Sequence, residues 1–328
     1  MRASFYERTG PAREVLTLGE LPTPEPGPGE VRVRVAWSGV NPSDVKSRAG
    51  LRTKELPFPR VVPHSDGSGR VDRVGEGVDP ARVGERVWVW NAAWGRADGT
   101  AAEYVALPAE QAVALPDGVE LTAAACLGIP ALTAYHAVTV DGGVEGKSVL
   151  VAGGAGAVGH YAVQLAKLKG ARQVIATVSS AAKAELARAA GADLVVNYRE
   201  EDIAARCREA TGGGGIDRII EVDFAANVGA DLRALRHEGE VVVYGSGAPE
   251  IPVPFAPAIL KNVRLRFFIV YNLTPEDRAR AVADLTRLLE ANALTHNIGA
   301  RLPLERIAEA HDLVEHGRVT GNVVLEVG

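Results

Sequence analysis

A glycine-rich stretch directly after an apolar segment is the feature that most restricts how this chain can fold. Residues 149–152 are apolar and run into a stretch in which Gly154, Gly156 and Gly159 match the pattern G-x-G-x-x-G. After a strand and before a helix, such glycines let the backbone turn tightly and approach a pyrophosphate, and the helix N-terminus offers unpaired N–H groups. The alternative is a glycine-rich turn that serves only helix–strand packing. The context favours a dinucleotide-binding βαβ unit.

Apolar segments alternate with helical stretches in the chain that follows residue 120. The predicted strands are residues 148–152, 174–178, 193–197, 216–221 and 240–244. Helices are predicted at 160–169 and 181–190, and each is followed by a glycine that would end it. Alternation of strand and helix is typical of parallel βαβ units, so we expect an α/β fold with a doubly wound parallel sheet.

The first 115 or so residues have the pattern of short strands joined by loops. Strands are predicted at residues 31–35, 86–90 and 102–106, where apolar and polar residues alternate. Turns between short strands are predicted at Gly67, Gly69, Gly75, Gly77 and Gly84. The last part of the chain predicts helices at 275–291 and 303–315 and a strand at 323–327, and we expect it to return to the first domain.

Charge and cysteine content limit the class of protein. The net charge is −5 and the sequence pI is about 5.9, which argues against a nucleic-acid partner. Cys126 and Cys207 are too few for a disulfide framework and fit a reducing cytosol. The N-terminal residues lack the apolar segment of a secretory signal, and no run of 18 apolar residues predicts a membrane span. We therefore expect a cytoplasmic protein.

The residues that follow the second predicted strand of the βαβ unit bear on the choice of nicotinamide cofactor. NAD sites usually carry an acidic residue about 20 positions after the glycines, where it holds the ribose hydroxyls. Residues 177–180 are Thr-Val-Ser-Ser, with no carboxylate to repel a 2′-phosphate, and Lys183, Tyr198 and Arg199 follow. The alternative is that Lys183 and Arg199 are ordinary surface charges. The missing acid favours NADPH over NADH.

Several segments, in order and spacing, resemble one known family. They are residues 38–44, 65–69, 74–75, 84–87, 128–135, 153–159, 197–200 and 245–246. With them the chain resembles the zinc-free quinone oxidoreductase (zeta-crystallin) branch of the medium-chain dehydrogenase/reductase superfamily. The resemblance implies a GroES-like β domain from residues 1–120 and 273–328 and a Rossmann domain from residues 121–272. It also implies a cleft that holds the nicotinamide, and a homodimer or homotetramer in which residues 263–271 pair across the dimer.

The resemblance assigns roles to individual residues. It implies that Asn41 and Lys46 lie against the nicotinamide or substrate and carry the catalytic roles. The residues that it implies at the pyrophosphate are Ala155, Gly156, Ala157 and Val158, and those at the 2′-phosphate are Ser179, Lys183 and Tyr198. The residues that it implies around the nicotinamide are Thr133, Asn227, Tyr244, Gly245, Ser246, Gly247, Phe268, Ile269 and Val270. Many relatives have tyrosine where this chain has Lys46, so no proton donor is carried over, and an ordinary exposed lysine is the alternative.

The metal ligands of the zinc alcohol dehydrogenases in this superfamily are replaced here. Asn41, Ser65 and Ile129 stand where those enzymes have cysteine, histidine and cysteine, and the four-cysteine structural lobe is absent. His64 is adjacent, but no further ligand has a recognised spacing. We therefore predict no metal and chemistry that rests on hydride and hydrogen-bond donors.

These observations predict an NADPH-dependent reductase that transfers hydride to a quinone. A flat apolar acceptor would stack against Trp90 or Trp94, and Asn41 or Lys46 would hold the resulting anion. Reduction of an enone or alkenal double bond uses the same residues and stays open. A non-catalytic NADPH-binding protein is the alternative from another class. A zinc alcohol dehydrogenase is disfavoured by the missing ligands.

Overall fold

The chain forms two compact units. The computed structural model describes residues 1–52 and 54–328. The first unit comprises Met1–Pro130 and Val282–Gly328, and the second comprises Ala131–Ala281. The domain limits expected from the sequence, 1–120 with 273–328 and 121–272, stay a prediction.

Strands and helices follow one another along the chain within the bounds given next. The strands are β1 (Arg2–Phe5), β2 (Thr17–Glu20), β3 (Glu30–Val40), β4 (Asp66–Val74), β5 (Arg86–Val89), β6 (Tyr104–Pro108), β7 (Ala112–Ala114), β8 (Ser148–Val151), β9 (Gln173–Val178), β10 (Leu194–Asn197), β11 (Ile216–Glu221), β12 (Leu235–Val243), β13 (Arg264–Phe267), β14 (Ile298–Pro303) and β15 (Asn322–Glu326). The α-helices are α1 (Ala12–Val15), α2 (Pro42–Arg48), α3 (Leu121–Ala124), α4 (Leu132–Thr139), α5 (Ala157–Leu168), α6 (Ala181–Ala189), α7 (Ile203–Ala210), α8 (Phe224–Ala234), α9 (Phe255–Leu260), α10 (Pro275–Glu290) and α11 (Ile307–Glu315).

The second unit is built on a parallel sheet with the strand order β10-β9-β8-β11-β12-β13. Its central strands are rich in valine and isoleucine because helices cover both faces of such a sheet. Leu150, Ile175, Ile219 and Val241 are completely or almost completely buried in its core. The doubly wound parallel sheet predicted from the sequence is confirmed.

The first unit contains a mostly antiparallel sheet with the order β14-β15-β3-β4-β5-β7, and β6 also pairs with β3. The long strand β3 organises this sheet, with Val31, Val33 and Val35 buried on it. The late strand β15 pairs with β3, with Val323 opposite Val40. The last part of the chain thus lies in the same sheet as the first part.

The structure corrects two of the turn predictions. Gly67 and Gly69 lie inside β4 and not in turns. A Cβ on Gly69 would lie 2.0 Å from the carbonyl oxygen of Arg34, and one on Gly67 would lie 2.8 Å from Thr100. Glycine is needed at Gly69 because the backbone of β3 comes unusually close where the pairing of β3 and β4 shifts register, and at Gly67 because the Thr100 side chain occupies the space.

Several element limits also differ from those predicted. The strand expected at 102–106 begins at Tyr104, and the one expected at 240–244 already begins at Leu235. The helix expected from 303 begins at Ile307, after a short 3₁₀ turn. Residues 263–271 form strand only over Arg264–Phe267, because the partner strand β12 ends at Val243. Among the described helices, none is both long enough and apolar enough to cross a bilayer.

Candidate active site

The glycine turn joins β8 to α5 at the point where the strand order of the sheet reverses direction. β8 lies between β9 and β11, so the chain winds outward from it on both sides. Ligands of doubly wound sheets bind beyond the carboxyl ends of the strands at such a switch point. The turn is tied to β9, because the N–H of Gly153 donates to Thr177 Oγ1 (3.1 Å) and that of Gly154 to the Thr177 carbonyl (3.0 Å).

Each glycine of the pattern has a distinct structural reason. A Cβ on Gly154 would lie 2.6 Å from that of Ala176, and one on Gly159 would lie 2.2 Å from the carbonyl oxygen of Gly153. Gly156 precedes the first residue of α5, and no side chain caps this end of the twelve-residue helix. Uncapped N–H groups beside a turn of bare backbone fit a pyrophosphate. Ala155, Gly156, Ala157 and Val158 all lie at this turn.

The residues predicted for the 2′-phosphate come together at the end of β9. Lys183 Nζ donates to Ser179 Oγ at 2.9 Å. Tyr198 follows β10, and its backbone N–H donates to the carbonyl of Val178, which places it next to Ser179. A hydroxyl, an ammonium and a half-exposed tyrosine therefore surround one corner of the sheet.

Asn227 donates a hydrogen bond to a buried acid for which the sequence predicted no role. Asn227 Nδ2 donates to Glu221 Oε1 at 3.0 Å, at the carboxyl end of β11. Burial raises the pKa of Glu221, and it raises the pKa of the neighbouring Asp231 to about 9, with the charge of Glu221 adding to the effect. One proton shared between the two carboxyl groups relieves their repulsion. The ten-residue spacing of the two acids matches no recognised motif, so their pairing could not be predicted from the sequence.

The loop after β12 and the segment after β13 bring further predicted residues together. A Cβ on Gly245 would lie 2.3 Å from the carbonyl oxygen of Val222, and the N–H of Gly247 donates to Asp223 Oδ1 at 2.7 Å. The Phe268 ring lies 6.5 Å from the Tyr244 ring. Burial raises the pKa of Tyr244, so its hydroxyl stays protonated at neutral pH.

The other residues predicted around the nicotinamide are Ser246, Ile269, Val270 and Thr133. Ser246 Oγ donates to the carbonyl of Ala248 at 2.7 Å, which closes the loop after β12. Ile269 and Val270 continue directly from Phe268, and Val270 is buried. Thr133 is buried on α4, one turn before His136, whose ring lies 4.7 Å from that of Phe268.

In the first unit, Asn41 stands where β3 turns into α2. It is the N-cap of this helix and forms a capping box with Asp44, which accepts the backbone N–H of Asn41 at 2.8 Å. Pro42 at the first helical position favours this start, since its ring fixes a helical φ. Asn41 Nδ2 also donates to Asp66 Oδ2 at 2.8 Å. Lys46 lies in the last turn of α2 and is half-buried.

Two buried carboxyl groups thus flank Asn41. Burial raises the pKa of Asp44 to about 7, and it raises the pKa of Asp66 well above its usual range. Asp66 stood inside a segment that carried the family resemblance, but it had no predicted role. The pairing of Gly39 with Asp66 across β3 and β4 is what brings it to Asn41, and this register could not be read from the sequence.

A pair of histidines lies behind Asp66. His64 Nε2 and His311 Nε2 are 2.9 Å apart, and the two rings stack with centroids 5.1 Å apart. Burial lowers the pKa of His64 to about 3 and that of His311 well below its usual range, so both rings are neutral. Among residues 1–52 and 54–328, no three histidine, cysteine, aspartate or glutamate side chains form a group that could hold a metal ion.

The two tryptophans predicted to stack on an acceptor differ in exposure. Trp90 is buried, whereas Trp94 is 41% exposed. The Arg52 guanidinium lies over the Trp94 ring, 6.0 Å from its centroid. Trp94 is therefore the more accessible of the two rings, whereas the burial of Trp90 argues against stacking on an acceptor.

Family comparisons match both units. The alcohol dehydrogenase GroES-like domain matches residues 27–117, and the zinc-binding dehydrogenase domain matches residues 157–287. The chain is 33% identical to a human quinone oxidoreductase over 99% of its own length and 97% of that protein. It is 31% identical to an alcohol dehydrogenase of Geobacillus stearothermophilus over the full length of both.

Solved structures show the same likeness. An NAD-dependent alcohol dehydrogenase superposes with a TM-score of 0.91 at 34% identity and full coverage of both chains. A mycobacterial protein complexed with NADPH gives 0.88 at 32% identity, with 99% of each chain covered. The quinone oxidoreductase of Escherichia coli complexed with NADPH gives 0.89 at 26% identity, with 99% of this chain and 100% of that chain covered.

Proposed function

Because the chain belongs to the quinone oxidoreductase branch of the medium-chain dehydrogenase/reductase superfamily, we propose that it is an NADPH-dependent oxidoreductase that delivers hydride to quinones without zinc. The family and the α/β fold class predicted from the sequence, a GroES-like domain with a Rossmann sheet, are confirmed. The observation that carries the proposal is the corner formed by Ser179, Lys183 and the glycine turn. It offers N–H groups and an ammonium to phosphates and no carboxylate that would repel them.

Each group of residues has a task in this proposal. NADPH, when bound, supplies the hydride. The turn and helix start at Ala155, Gly156, Ala157 and Val158 hold the pyrophosphate, and Ser179, Lys183 and Tyr198 hold the 2′-phosphate. The residues proposed to orient the nicotinamide are Thr133, Asn227, Tyr244, Gly245, Ser246, Gly247, Phe268, Ile269 and Val270. Asn41 and Lys46 stabilise negative charge that develops on the acceptor oxygen. One such preorganised donor contributes about 3 kcal/mol to transition-state stabilisation.

The likeness to alcohol dehydrogenases does not change this proposal. Zinc sites in proteins are built from cysteine, histidine and carboxylate side chains. Asn41, Ser65 and Ile129 supply none of these at the three positions implied by the resemblance. The end of β9 lacks the acid that NAD-binding folds commonly use.

We also propose a homodimer. Strand β13 lies at the edge of its sheet, and edge strands pair readily with another chain. Beside it in sequence, the short helix α9 exposes Phe255, Ile259 and Leu260, and Phe267 on β13 is exposed as well. A second copy would cover this apolar surface.

A cytoplasmic location is part of the same proposal. Cys126 and Cys207 are free thiols and both are buried. Unpaired thiols persist in a reducing compartment.

The test follows the absorbance of reduced nicotinamide with purified protein. NADPH and NADH are each combined with 1,4-benzoquinone, 9,10-phenanthrenequinone and a simple enone, with and without a chelator. We expect turnover of a quinone that prefers NADPH and is insensitive to the chelator. Turnover of the enone alone would favour a double-bond reductase instead. Binding of NADPH without turnover of any acceptor would favour a non-catalytic NADPH-binding protein, and loss of turnover with the chelator would contradict the zinc-independent mechanism.

A further inference from the structure

We propose that Asp66 is a positioning residue, which holds the Asn41 amide in one orientation and so determines which of its atoms meets the reacting molecule. The inference rests on the proposed function, because it concerns the role given there to Asn41. No part of the family resemblance assigned a task to Asp66.

The contact between the two side chains has only one consistent orientation. Asn41 Nδ2 lies 2.8 Å from Asp66 Oδ2, and both residues are buried. An ionised carboxylate only accepts hydrogen bonds, so the amide nitrogen and not the amide oxygen must face it. The Asn41 side-chain oxygen accepts the backbone N–H of Asp44 in the capping box, so the amide nitrogen is the atom left to face Asp66 whether or not that carboxyl group carries a proton. The amide of Asn41 therefore cannot turn over without losing this bond.

Tight packing restricts the Asp66 side chain itself. A Cβ on Gly39 would lie 2.8 Å from the Cβ of Asp66, and a Cβ on Gly128 would lie 2.4 Å from its Oδ1. Backbone thus approaches the carboxyl group from β3 and from the segment after α3. This close approach of backbone on two sides limits the space around the carboxyl group.

A chain of hydrogen bonds fixes the backbone at Asp66. Thr100 Oγ1 donates its one hydrogen to the carbonyl oxygen of Asp66, so Ser38 must donate to Thr100 Oγ1 (2.7 Å). His64 Nδ1 must then donate to Ser38 Oγ (2.8 Å), which leaves His64 Nε2 as the acceptor from His311 Nε2. With both rings neutral, this is the one assignment that gives every bond a single hydrogen.

This chain of hydrogen bonds connects Asp66 to several elements of the first unit, which suits a residue that positions Asn41. Its links come from β3, from the residues before β4, from the segment before β6 and from α11. Four separate parts of the first unit therefore hold the Asp66 main chain, while the side chain is committed to Asn41. Residues that support a metal ligand in a comparable way typically change activity by about 10–100-fold when they are replaced, and we expect an effect of the same order here.

The test is a double-mutant cycle with Asp66→Leu and Asn41→Ala, in which kcat and the KM for NADPH are measured for the single and double variants. We expect Asp66→Leu to lower kcat by about 10–100-fold with little change in KM for NADPH. We expect no further loss of kcat when it is added to Asn41→Ala, because Asp66 acts through Asn41. Losses that multiply, or a kcat equal to that of the wild type, would overturn the inference.

Ser68→Ala is the matched control. Ser68 is buried on the same strand two residues further on, and its hydroxyl donates to the carbonyl of Leu121. It removes a buried hydrogen bond of β4 without touching Asn41, so we expect an unchanged kcat. If Asp66→Leu does not fold, the same cycle is run with Asp66→Ala, which removes both acceptor oxygens without adding a larger side chain.

A measurement without turnover separates this inference from the proposed function. In ¹⁵N-labelled protein, we expect the Asn41 side-chain amide to exchange slowly in the wild type and in Ser68→Ala, and rapidly in the Asp66 variant. If the wild type reduces no acceptor, the proposed function fails and this exchange measurement decides the inference alone. Equal exchange rates in the wild type and the Asp66 variant would overturn it.

Discussion

Ser179 occupies the place where NAD-binding folds commonly carry a carboxylate, and its hydroxyl accepts a hydrogen bond from the Lys183 ammonium. Under the proposed function we expect a single side chain here to have a large effect, because the 2′-phosphate carries the charge that distinguishes the two cofactors. This part of the candidate site could be predicted from the sequence, since the glycine pattern fixes the register and the position of the following strand is then known.

Replacing Ser179 with aspartate should invert the cofactor preference. The new carboxylate would repel the 2′-phosphate, and such a like-charge contact costs several kcal/mol. We expect the Kd for NADPH to rise at least about tenfold while that for NADH falls. Titrations that follow nicotinamide fluorescence measure both. Ser179→Ala, which removes the hydroxyl without adding charge, should change the preference much less; equal effects of the two variants would contradict the argument.

The neutral histidine pair predicts a pH-dependent stability. Since burial lowers the pKa of His311 from 6.5, the unfolded chain binds a proton that the folded chain does not, and the folded state loses stability as the pH falls below about 6.5. In His311→Phe this penalty is absent. We therefore expect the difference in unfolding free energy between wild type and variant to shrink by about 1.4 kcal/mol for each pH unit below 6.5.

Urea unfolding at pH 7.5, 6.5 and 5.5 measures this difference. The control is Ala310→Gly, a buried residue of the same helix that carries no titratable group, for which we expect a constant difference across the range. A constant difference for His311→Phe as well would show that its ring is not kept neutral by the fold. His64 and His311 are 247 positions apart, so no sequence pattern could have paired them.

At the scale of elements, the alternation of strands and helices in the second unit was predictable because parallel strands require long apolar runs and crossover helices. The limits of β11 were predicted without error, as Ile216–Glu221. The first unit was harder, because its sheet depends on register shifts and on glycines inside strands, as at Gly69 in β4. Hydrophobic periodicity and amino-acid composition do not encode which backbone segments approach each other closely.

Arg218 on β11 makes buried contacts that the sequence pattern of the strand does not predict. This arginine is completely buried, donates to the carbonyl groups of Val138 and Val140 at the end of α4, and pairs with Glu240 on β12 at 3.0 Å. It therefore satisfies carbonyl groups that the helix end leaves without partners. The strand, the adjacent strand and the helix are joined through one side chain.

Replacing Arg218 with methionine should destabilise the fold strongly. The change leaves Glu240 as an unpaired buried charge, and breaking a buried ion pair in this way costs about 3–5 kcal/mol. Urea unfolding of the variant measures the loss. Arg236→Met is the control, since Arg236 pairs with Asp217 while 40% exposed, and exposed pairs contribute about 1 kcal/mol or less. Equal losses for the two variants would contradict the role given to Arg218.

At the scale of the whole molecule, the exposed apolar side chains of α9 predict where two copies of the chain meet. Leu260 is 77% exposed beside Ile259 and Phe255, which is costly for a side chain that stays in water. Leu260→Lys places a charge in the proposed interface. We expect the homodimer to dissociate to monomers at micromolar concentration, as measured by light scattering after size-exclusion chromatography.

Leu168→Lys provides the comparison, because Leu168 is also an exposed leucine of the second unit and lies at the end of α5. It should leave the assembly unchanged. A monomeric wild type would refute the proposed dimer. A tetramer that Leu260→Lys leaves intact would place the interface elsewhere.

The position of β15 has a consequence for biosynthesis. In the sheet it lies between β14 and β3, yet in the chain it follows the whole second unit. Domains fold as units while the nascent chain emerges from the ribosome. The second unit is one continuous stretch and can finish folding while β3, already made, still has an open edge on the β15 side, and open edges invite wrong partners. The part that is translated first is therefore completed last.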